Sequence, residues 1–123
     1  MVHCNNCTAE LDGWVKLFGE FASALGSDIT KGKLYDLLYE KAIEGEADCG
    51  GVIAYNYLSG EHITALSEGR PMYLRTSDSH LTLANFMRAE LYSALATLKI
   101  GMNLLFTNEH VALTGLFGHG GFF

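Results

Sequence analysis

A long helical pattern dominates the second half of this sequence and limits the folds open to the chain. From about Ser79 to Phe106, apolar side chains recur at the spacing of an α-helix and form a wide stripe. Ser77, Asp78 or Ser79 is expected to cap this helix. Both of its faces carry apolar or small side chains, which predicts that it is deeply buried. The stripe consists of Leu83, Phe86, Met87, Leu91, Ala94, Leu95, Leu98, Met102 and Leu105.

Two shorter helical patterns precede the long one. Apolar residues at helical spacing predict one helix from Thr8 to Leu25 and another from Lys31 to Glu44. Small polar residues stand before each helix, where they cap free amides, and a glycine follows each, where it commonly ends a helix. The expected capping and terminating residues are Asn5, Asn6 or Thr8, then Gly26, Thr30 and Gly45.

Strand signals are few and short. β-Branched and aromatic residues predict a strand from Val52 to Leu58, and Pro71 to Arg75 is expected to be a short extended piece. Turns are expected at 48–51 and 59–62, irregular structure at 61–70, and a buried strand at Ala112 to Phe117. The order helix, helix, strand, long helix, strand predicts an α/β fold with a small sheet.

Composition and charge exclude several classes of protein. The chain has 123 residues, of which 49% are hydrophobic, so one domain with a real core is expected. Its net charge is −6 and its eight Lys and Arg are scattered. A nucleic-acid partner is therefore not expected, because phosphates require a basic face. No apolar run approaches a membrane span of about 20 residues. Three cysteines favour a reducing cytoplasm over a disulfide framework.

The glycine-rich run Gly118, His119, Gly120 and Gly121 follows the last predicted strand. Glycines let a backbone approach a ligand closely, and successive amides can surround a phosphate. The run is therefore a candidate nucleotide-phosphate contact. The alternative is an ordinary turn at the end of a strand, because a lone glycine cluster is a weak signal.

Cys4 and Cys7 form a single CxxC pair, with His3 adjacent. A structural zinc site needs four ligands, usually with a second pair at a distance, and Cys49 is the only other cysteine. A redox pair would need a strand before it and a helix after it. Structural cysteines are therefore expected, and a metal or redox role is the alternative.

Three further groups have both a chemical and a plain interpretation. Glu61 and His62 are adjacent and suited to acid–base work, but solvated loop residues are the commoner outcome. Tyr55 and Tyr57 share one face of a predicted strand and are expected to pack in a core or interface. Arg88 lies beside the apolar stripe and is expected to be buried against a carboxylate.

Five segments, taken in order, resemble the C-terminal lobe of FGGY carbohydrate kinases, and most closely that of xylulokinase-like pentulose kinases. One is similar to the long central helix of this lobe, and another to its ATP-binding glycine turn. Together they cover essentially the whole chain. The segments are Met1 to Thr8, Cys49 to Thr64, Glu68 to Arg75, Leu83 to Met102 and Leu116 to Gly121.

This resemblance implies a partial actin-like, ribonuclease H-like ATPase lobe with a long central helix, spanning residues 1–123. It implies transfer of the γ-phosphoryl group of ATP, with Mg²⁺, to a sugar hydroxyl, with an aspartate of the N-terminal lobe as base. Gly118, Gly120 and Gly121 carry over as nucleotide contacts, with His119 as their neighbour. No residue carries over as catalytic base or metal ligand. Gly60 and Glu61 match family positions, and their expected role is structural.

Full members of the family are several times longer, so this segment is expected to be a fragment, truncated at its C-terminus and inactive alone. Nucleotide and sugar are the expected ligands of the full-length protein. The alternative is a non-catalytic interaction module. A lobe cut within its sheet exposes apolar surface and an unpaired strand edge, which predicts a homo-oligomer.

Overall fold

The computed structural model describes residues 4–112, 114, 115 and 117. Two helices come first in this part of the chain, four short strands follow, and one long helix comes last. The strands form two antiparallel two-stranded sheets, in which the first strand pairs with the fourth and the second pairs with the third. The predicted mixture of helices with a small sheet is confirmed. The elements are α1 (Ala9–Ala24), α2 (Lys31–Ile43), β1 (Ile53–Tyr55), β2 (Ser59–Glu61), β3 (Leu66–Glu68), β4 (Met72–Leu74) and α3 (Leu83–Asn108), with a 3₁₀ turn at Cys49–Gly51.

Helix α3 lies between two hydrophobic clusters, which confirms that the long helix is central. On one side Met87 and Ala94 pack with the buried faces of α1 and α2. On the other side Ala89 packs with Cys49 and Val52, beneath the β1–β4 sheet. No helix in the described part of the chain has both the length and the hydropathy that crossing a membrane requires.

The ends of α1 and α2 agree with prediction to within one residue. Thr30 caps α2, and its hydroxyl oxygen accepts a hydrogen bond from the Lys33 amide at 3.4 Å. Gly26 follows α1 with φ +81°, a left-handed conformation that glycine adopts without strain. Thr8 occupies the N-cap position of α1 but makes no capping bond.

Helix α3 begins four residues later than predicted, at Leu83. Thr82 caps it, since its side-chain oxygen accepts from the Asn85 amide at 3.1 Å. The preceding residues are held by the 3₁₀ turn instead, because the His80 amide donates to the Gly50 carbonyl at 2.8 Å. Ser77, Asp78 and Ser79 were therefore the wrong caps.

The predicted strand from Val52 to Leu58 is shortened to Ile53–Tyr55. It ends early because the amides of Leu58 and Ser59 donate to the side chain of Asn6 and not to a neighbouring strand. The extended piece from Pro71 to Arg75 is confirmed as β4.

Two expectations for residues 59–70 were wrong. Ser59–Glu61 is a strand and not a turn, and it pairs with a second strand, Leu66–Glu68, where irregular structure was expected. The chain reverses between them, with Ala65 at φ +56°. A Cβ on Gly60 would lie 2.6 Å from the Ser67 carbonyl oxygen, so a glycine allows the two strands to approach.

The buried strand predicted from Ala112 to Phe117 is also wrong for the residues described there. Ala112, Thr114, Gly115 and Phe117 are exposed and not in a strand, and 95% of the Phe117 side chain is exposed. Helix α3 runs on to Asn108, and His110 follows it with φ +50°.

Candidate functional site

The predicted phosphate turn, Gly118, His119, Gly120 and Gly121, lies outside the described residues. Its assignment as a nucleotide contact stays a prediction. The described residues just before it do not form the strand that would normally present such a turn.

Cys4, Cys7 and Cys49 are all free thiols. Burial raises the pKa of the Cys4 thiol, and the nearby Glu61 and Cys7 raise it further. Burial also raises the pKa of Cys7, so neither thiol favours the reactive thiolate. Among the described residues, no group of three or more His, Cys, Asp or Glu side chains is placed to hold a metal ion.

The clearest polar site joins the N-terminal segment to β2. The buried amide side chain of Asn6 accepts from the Leu58 and Ser59 amides at 2.9 and 3.0 Å, and donates to the carbonyls of β2. The Glu61 Oε2 atom accepts from the Asn5 and Asn6 amides at 2.8 and 3.3 Å. Asn56 completes the contact by donating to the Asn6 carbonyl at 3.0 Å. We call this group the N-terminal anchor.

Glu61 is only 1% exposed, which contradicts its expected place in solvent. Burial acts to raise the pKa of this carboxyl, but hydrogen bonds from Asn5 and Asn6 outweigh it and hold the pKa below its ordinary value. Within the described part of the chain, the Oε1 atom has no partner of normal hydrogen-bond geometry, although the Ile63 N–H also favours the charged form. His62 is exposed. An enclosed carboxyl with a lowered pKa has no proton to donate near neutral pH, so Glu61 is a poor general acid and the anchor is a structural site.

Acid should weaken the anchor. A carboxyl whose pKa is lower in the folded chain stabilises that chain at neutral pH, and the contribution is lost as the pH falls through the folded value. We therefore expect the melting temperature to decrease as the pH is lowered past about 4.3, which is the ordinary glutamate pKa. Glu61→Gln should flatten this part of the pH profile, whereas Glu20→Gln, at an exposed position on α1, should not. Identical acid profiles for Glu61→Gln and the parent chain would contradict this assignment.

Tyr57 links the end of β1 to α3, as expected for a core residue. Its side chain is buried, and its hydroxyl shares a 2.5 Å hydrogen bond with the Thr97 hydroxyl. The Tyr55 and Tyr57 rings contact each other, with centroids 4.6 Å apart. Packing accounts for both tyrosines without a ligand.

Among the described residues, Arg88 meets no carboxylate, which corrects the sequence prediction. Its guanidinium donates to three carbonyls at the C-terminal end of α2, those of Ala42, Ile43 and Gly45, at 3.4, 3.2 and 3.0 Å. Its Nε atom also donates to the Tyr92 hydroxyl at 3.1 Å. A cation is favourable there because the free carbonyls of a helix end carry partial negative charge.

Removing the guanidinium should weaken the contact between α2 and α3. We expect Arg88→Met, which keeps the apolar stem, to lower the free energy of unfolding by about 2 kcal/mol, because hydrogen bonds to charged groups contribute about 1.5–3 kcal/mol. Lys99→Met is the control, since Lys99 is exposed on the same helix and contacts only Asn103 among the described side chains. Urea denaturation measures both, and equal losses would contradict the capping role.

A second buried network fixes the loop before α3. The Asn85 side chain is 2% exposed; its Oδ1 accepts from the Glu46 amide at 2.7 Å, and its Nδ2 donates to the His80 carbonyl at 2.8 Å. His80 Nδ1 also lies 3.0 Å from a carboxylate oxygen of Glu46. Hydrogen bonds from Asn85 and His80 lower the pKa of Glu46. Gly50 lies against this network, where a Cβ would be 2.3 Å from the side-chain nitrogen Nδ2 of Asn85.

The described cavities are shallow. One of about 590 Å³ opens beside the N-terminal anchor and is lined by polar residues that include Asn5, Ser59 and Ser67. Another, of about 620 Å³, lies between α1 and α2, beside the Lys31–Asp12 ion pair. Sequence reasoning did not identify Asn6, Asn85, Glu90 or Thr97 as buried, because a polar side chain gives no periodic signal of burial.

Comparison with known proteins identifies the family. The model of the FGGY family of carbohydrate kinases, C-terminal domain, matches residues 1–123. No curated protein and no solved structure matches the chain. The packing of α3 against the β1–β4 sheet agrees with that match. The chain therefore belongs to the FGGY family of carbohydrate kinases, and its 123 residues correspond to the C-terminal domain of that family.

Proposed function

We propose that this chain is part of a xylulokinase-like kinase that transfers the γ-phosphoryl group of ATP to a hydroxyl of a pentulose-type sugar. The observation that carries the proposal is the family match over residues 1–123. Its finer points, the ATP and the pentulose, rest on the sequence resemblance. We place this activity in the cytoplasm, in keeping with three free cysteines.

We assign the nucleotide contact to Gly118, Gly120 and Gly121, with His119 beside them. In such a turn, backbone amides would lie against phosphate oxygens without a Cβ in the way. No described residue is assigned to Mg²⁺, because the described part of the chain contains no suitable cluster of acidic or histidine side chains. No described residue is assigned as catalytic base either.

We further propose that these residues form part of an actin-like, ribonuclease H-like lobe. Two features support this: α3 contributes to both hydrophobic clusters, and the β1–β4 pair packs on it through Ala54 and Tyr73. In such a lobe the helix would support the sheet that carries the nucleotide turn.

Nucleotide binding tests the assignment directly. The 123-residue chain should bind MgATP weakly in isothermal titration calorimetry, and Gly120→Val with Gly121→Val should weaken binding at least 10-fold. Gly13→Ala is the control, because a Cβ there meets no atom within 4 Å. Binding that is unaffected by the double substitution would remove the glycine turn from the nucleotide site.

The same chain should show no sugar phosphorylation on its own. Phosphoryl transfer depends on positioning by both walls of a cleft, and the family resemblance places the base on the other lobe. A coupled assay of ADP release, with MgATP and xylulose or ribulose, measures this. Turnover that depends on the pentulose would show that the 123 residues are catalytically complete.

A second candidate function is a non-catalytic interaction module, and the outer face of the β1–β4 sheet favours it. Ile53, Met72 and Leu74 are 62%, 51% and 53% exposed, and Ile53 and Leu74 are register partners. Such a patch favours self-association. Light scattering after size exclusion should show a dimer that Ile53→Lys with Leu74→Lys dissociates and Ile43→Lys, at the exposed end of α2, does not. A parent chain that is monomeric would exclude this function.

A further inference from the structure

Glu90 lies at a junction of three elements beneath the surface. It is on α3, only 2% exposed, one helical turn after Phe86. The Phe86 ring packs against Trp14 of α1 and against Tyr73 of β4, with both centroid distances 4.7 Å. The carboxyl of Glu90 therefore lies where α1, α3 and β4 meet.

Three polar atoms at this junction lack hydrogen-bond partners among the described residues. They are Glu90 Oε2, Trp14 Nε1 and the Tyr73 hydroxyl, and all three are buried. Leaving a buried polar group unpaired is costly, and an unpaired buried charge costs far more. A neutral carboxylic acid therefore suits this position better than a carboxylate.

Burial and the charges around the junction also favour the protonated form of Glu90. Burial, together with the neighbouring Glu10 of α1, raises the pKa of Glu90 to about 7. The indole N–H of Trp14 opposes part of the increase, although it makes no hydrogen bond of normal geometry. On β4, burial and the nearby Glu90 raise the pKa of Tyr73 to about 12, while Arg75 acts on Tyr73 in the opposite sense.

No described cation compensates Glu90. Arg88, two residues earlier on α3, is committed to the carbonyls at the end of α2 and to Tyr92. The charged group of α1 that acts on Glu90 is Glu10, whose own pKa is raised by burial. Ionisation of Glu90 would therefore place a second negative charge in an enclosed, unpaired position.

We propose that Glu90 is a proton-linked contact that holds α1 against α3 and β4 while protonated and releases α1 when it ionises. With the proton bound, the junction stays neutral and dry. When the proton leaves, α1 moves away with Trp14, and water reaches the carboxylate. Because Glu90 binds its proton more tightly in the folded chain, its contribution to stability is greatest at acid pH and falls as the pH rises through about 7.

Trp14 provides a specific reporter, because it is the only tryptophan in the chain. Its fluorescence, recorded on the 123-residue chain between pH 5.5 and 9, should change in one step with a midpoint near pH 7. Glu90→Gln, which mimics the protonated carboxyl, should abolish that step. Its melting temperature should also exceed that of the parent by more at pH 8.5 than at pH 5.5.

Two further variants separate Glu90 from other titrating groups. Glu10→Gln should move the midpoint to lower pH, because it removes a negative charge that favours protonation. His80→Gln, with the same change at His62, should leave the midpoint in place. A fluorescence step that survives in Glu90→Gln, or no step in the parent, overturns the proposal. Should Glu90→Gln not fold, an unchanged midpoint in Glu10→Gln overturns it and a lower midpoint supports it.

Discussion

Replacing Gly69 with alanine is expected to lower the free energy of unfolding by about 3 kcal/mol or more. Gly69 is buried between β3 and β4, and a Cβ there would lie 2.2 Å from the Tyr57 carbonyl oxygen and 2.7 Å from the Ser59 amide nitrogen. These are backbone atoms, so no side-chain rotation relieves the overlap. The segment from Tyr57 to Ser59 would have to move away and break its contact with Asn6.

Gly13→Ala is the matched control for this experiment. Gly13 lies in α1, and a methyl group added there would meet no atom within 4 Å, so alanine should stabilise the helix by up to about 1 kcal/mol. We therefore expect the midpoint of urea denaturation to decrease in Gly69→Ala and to increase in Gly13→Ala. A Gly69→Ala midpoint equal to or above that of the parent would show that the close approach is not required.

Replacing Asn6 with alanine is expected to cost about 3 kcal/mol, because it removes the centre of the N-terminal anchor. The amides of Leu58 and Ser59 would lose the oxygen that satisfies them, and Glu61 would lose one of its donors. Asn6→Asp should recover part of the loss, since a carboxylate still accepts from both amides. The recovery should be incomplete because the new charge faces Glu61.

Asn103→Ala controls for the loss of an asparagine amide as such. Asn103 is exposed on α3 and only accepts a bond from Lys99 among the described side chains, so we expect a change within about 0.5 kcal/mol. Hydrogen exchange adds a local measurement, because the Leu58 and Ser59 amides should lose protection in Asn6→Ala. Retained protection of those two amides would contradict the role given to Asn6.

The helices were predictable because their signals are local. The stripe of α3 repeats over more than twenty residues, and the Thr30 cap acts three residues away on Lys33. Periodicity and capping depend only on neighbouring residues, so a single sequence contains them. The start of α3 was misplaced because a tertiary bond from His80 to Gly50 competed with the capping signals at Ser77–Ser79.

The polar interior was not predictable, because its partners are distant in sequence. Asn6 and Glu61 are 55 residues apart, and neither belongs to an apolar pattern. Asn85 and Thr97 are likewise buried on α3 by contacts with the loop at Glu46 and with Tyr57. Periodicity identifies which face of a helix is buried, but it does not identify the polar partner that makes burial of an amide or hydroxyl acceptable.

The proposed nucleotide contact at residues 118–121 rests on a weaker sequence signal than the helices do. Gly118, Gly120 and Gly121 were assigned through resemblance and not through spacing, since a short glycine run has many uses. The family match supports the context of the turn and leaves its ligand as a proposal. The binding experiment with Gly120 and Gly121 is therefore the measurement that would add most.

The cap that Arg88 forms on α2 has a consequence for the order in which the domain comes apart in acid. A guanidinium keeps its charge at any accessible pH, and its partners there are peptide carbonyls, which do not titrate. Protonation of Glu61 therefore frees the N-terminal segment, whereas the junction of α2 with α3 stays intact. The three packed helices should therefore remain ordered after the N-terminal anchor is lost in acid, because protonated Glu90 holds α1 against α3 at low pH.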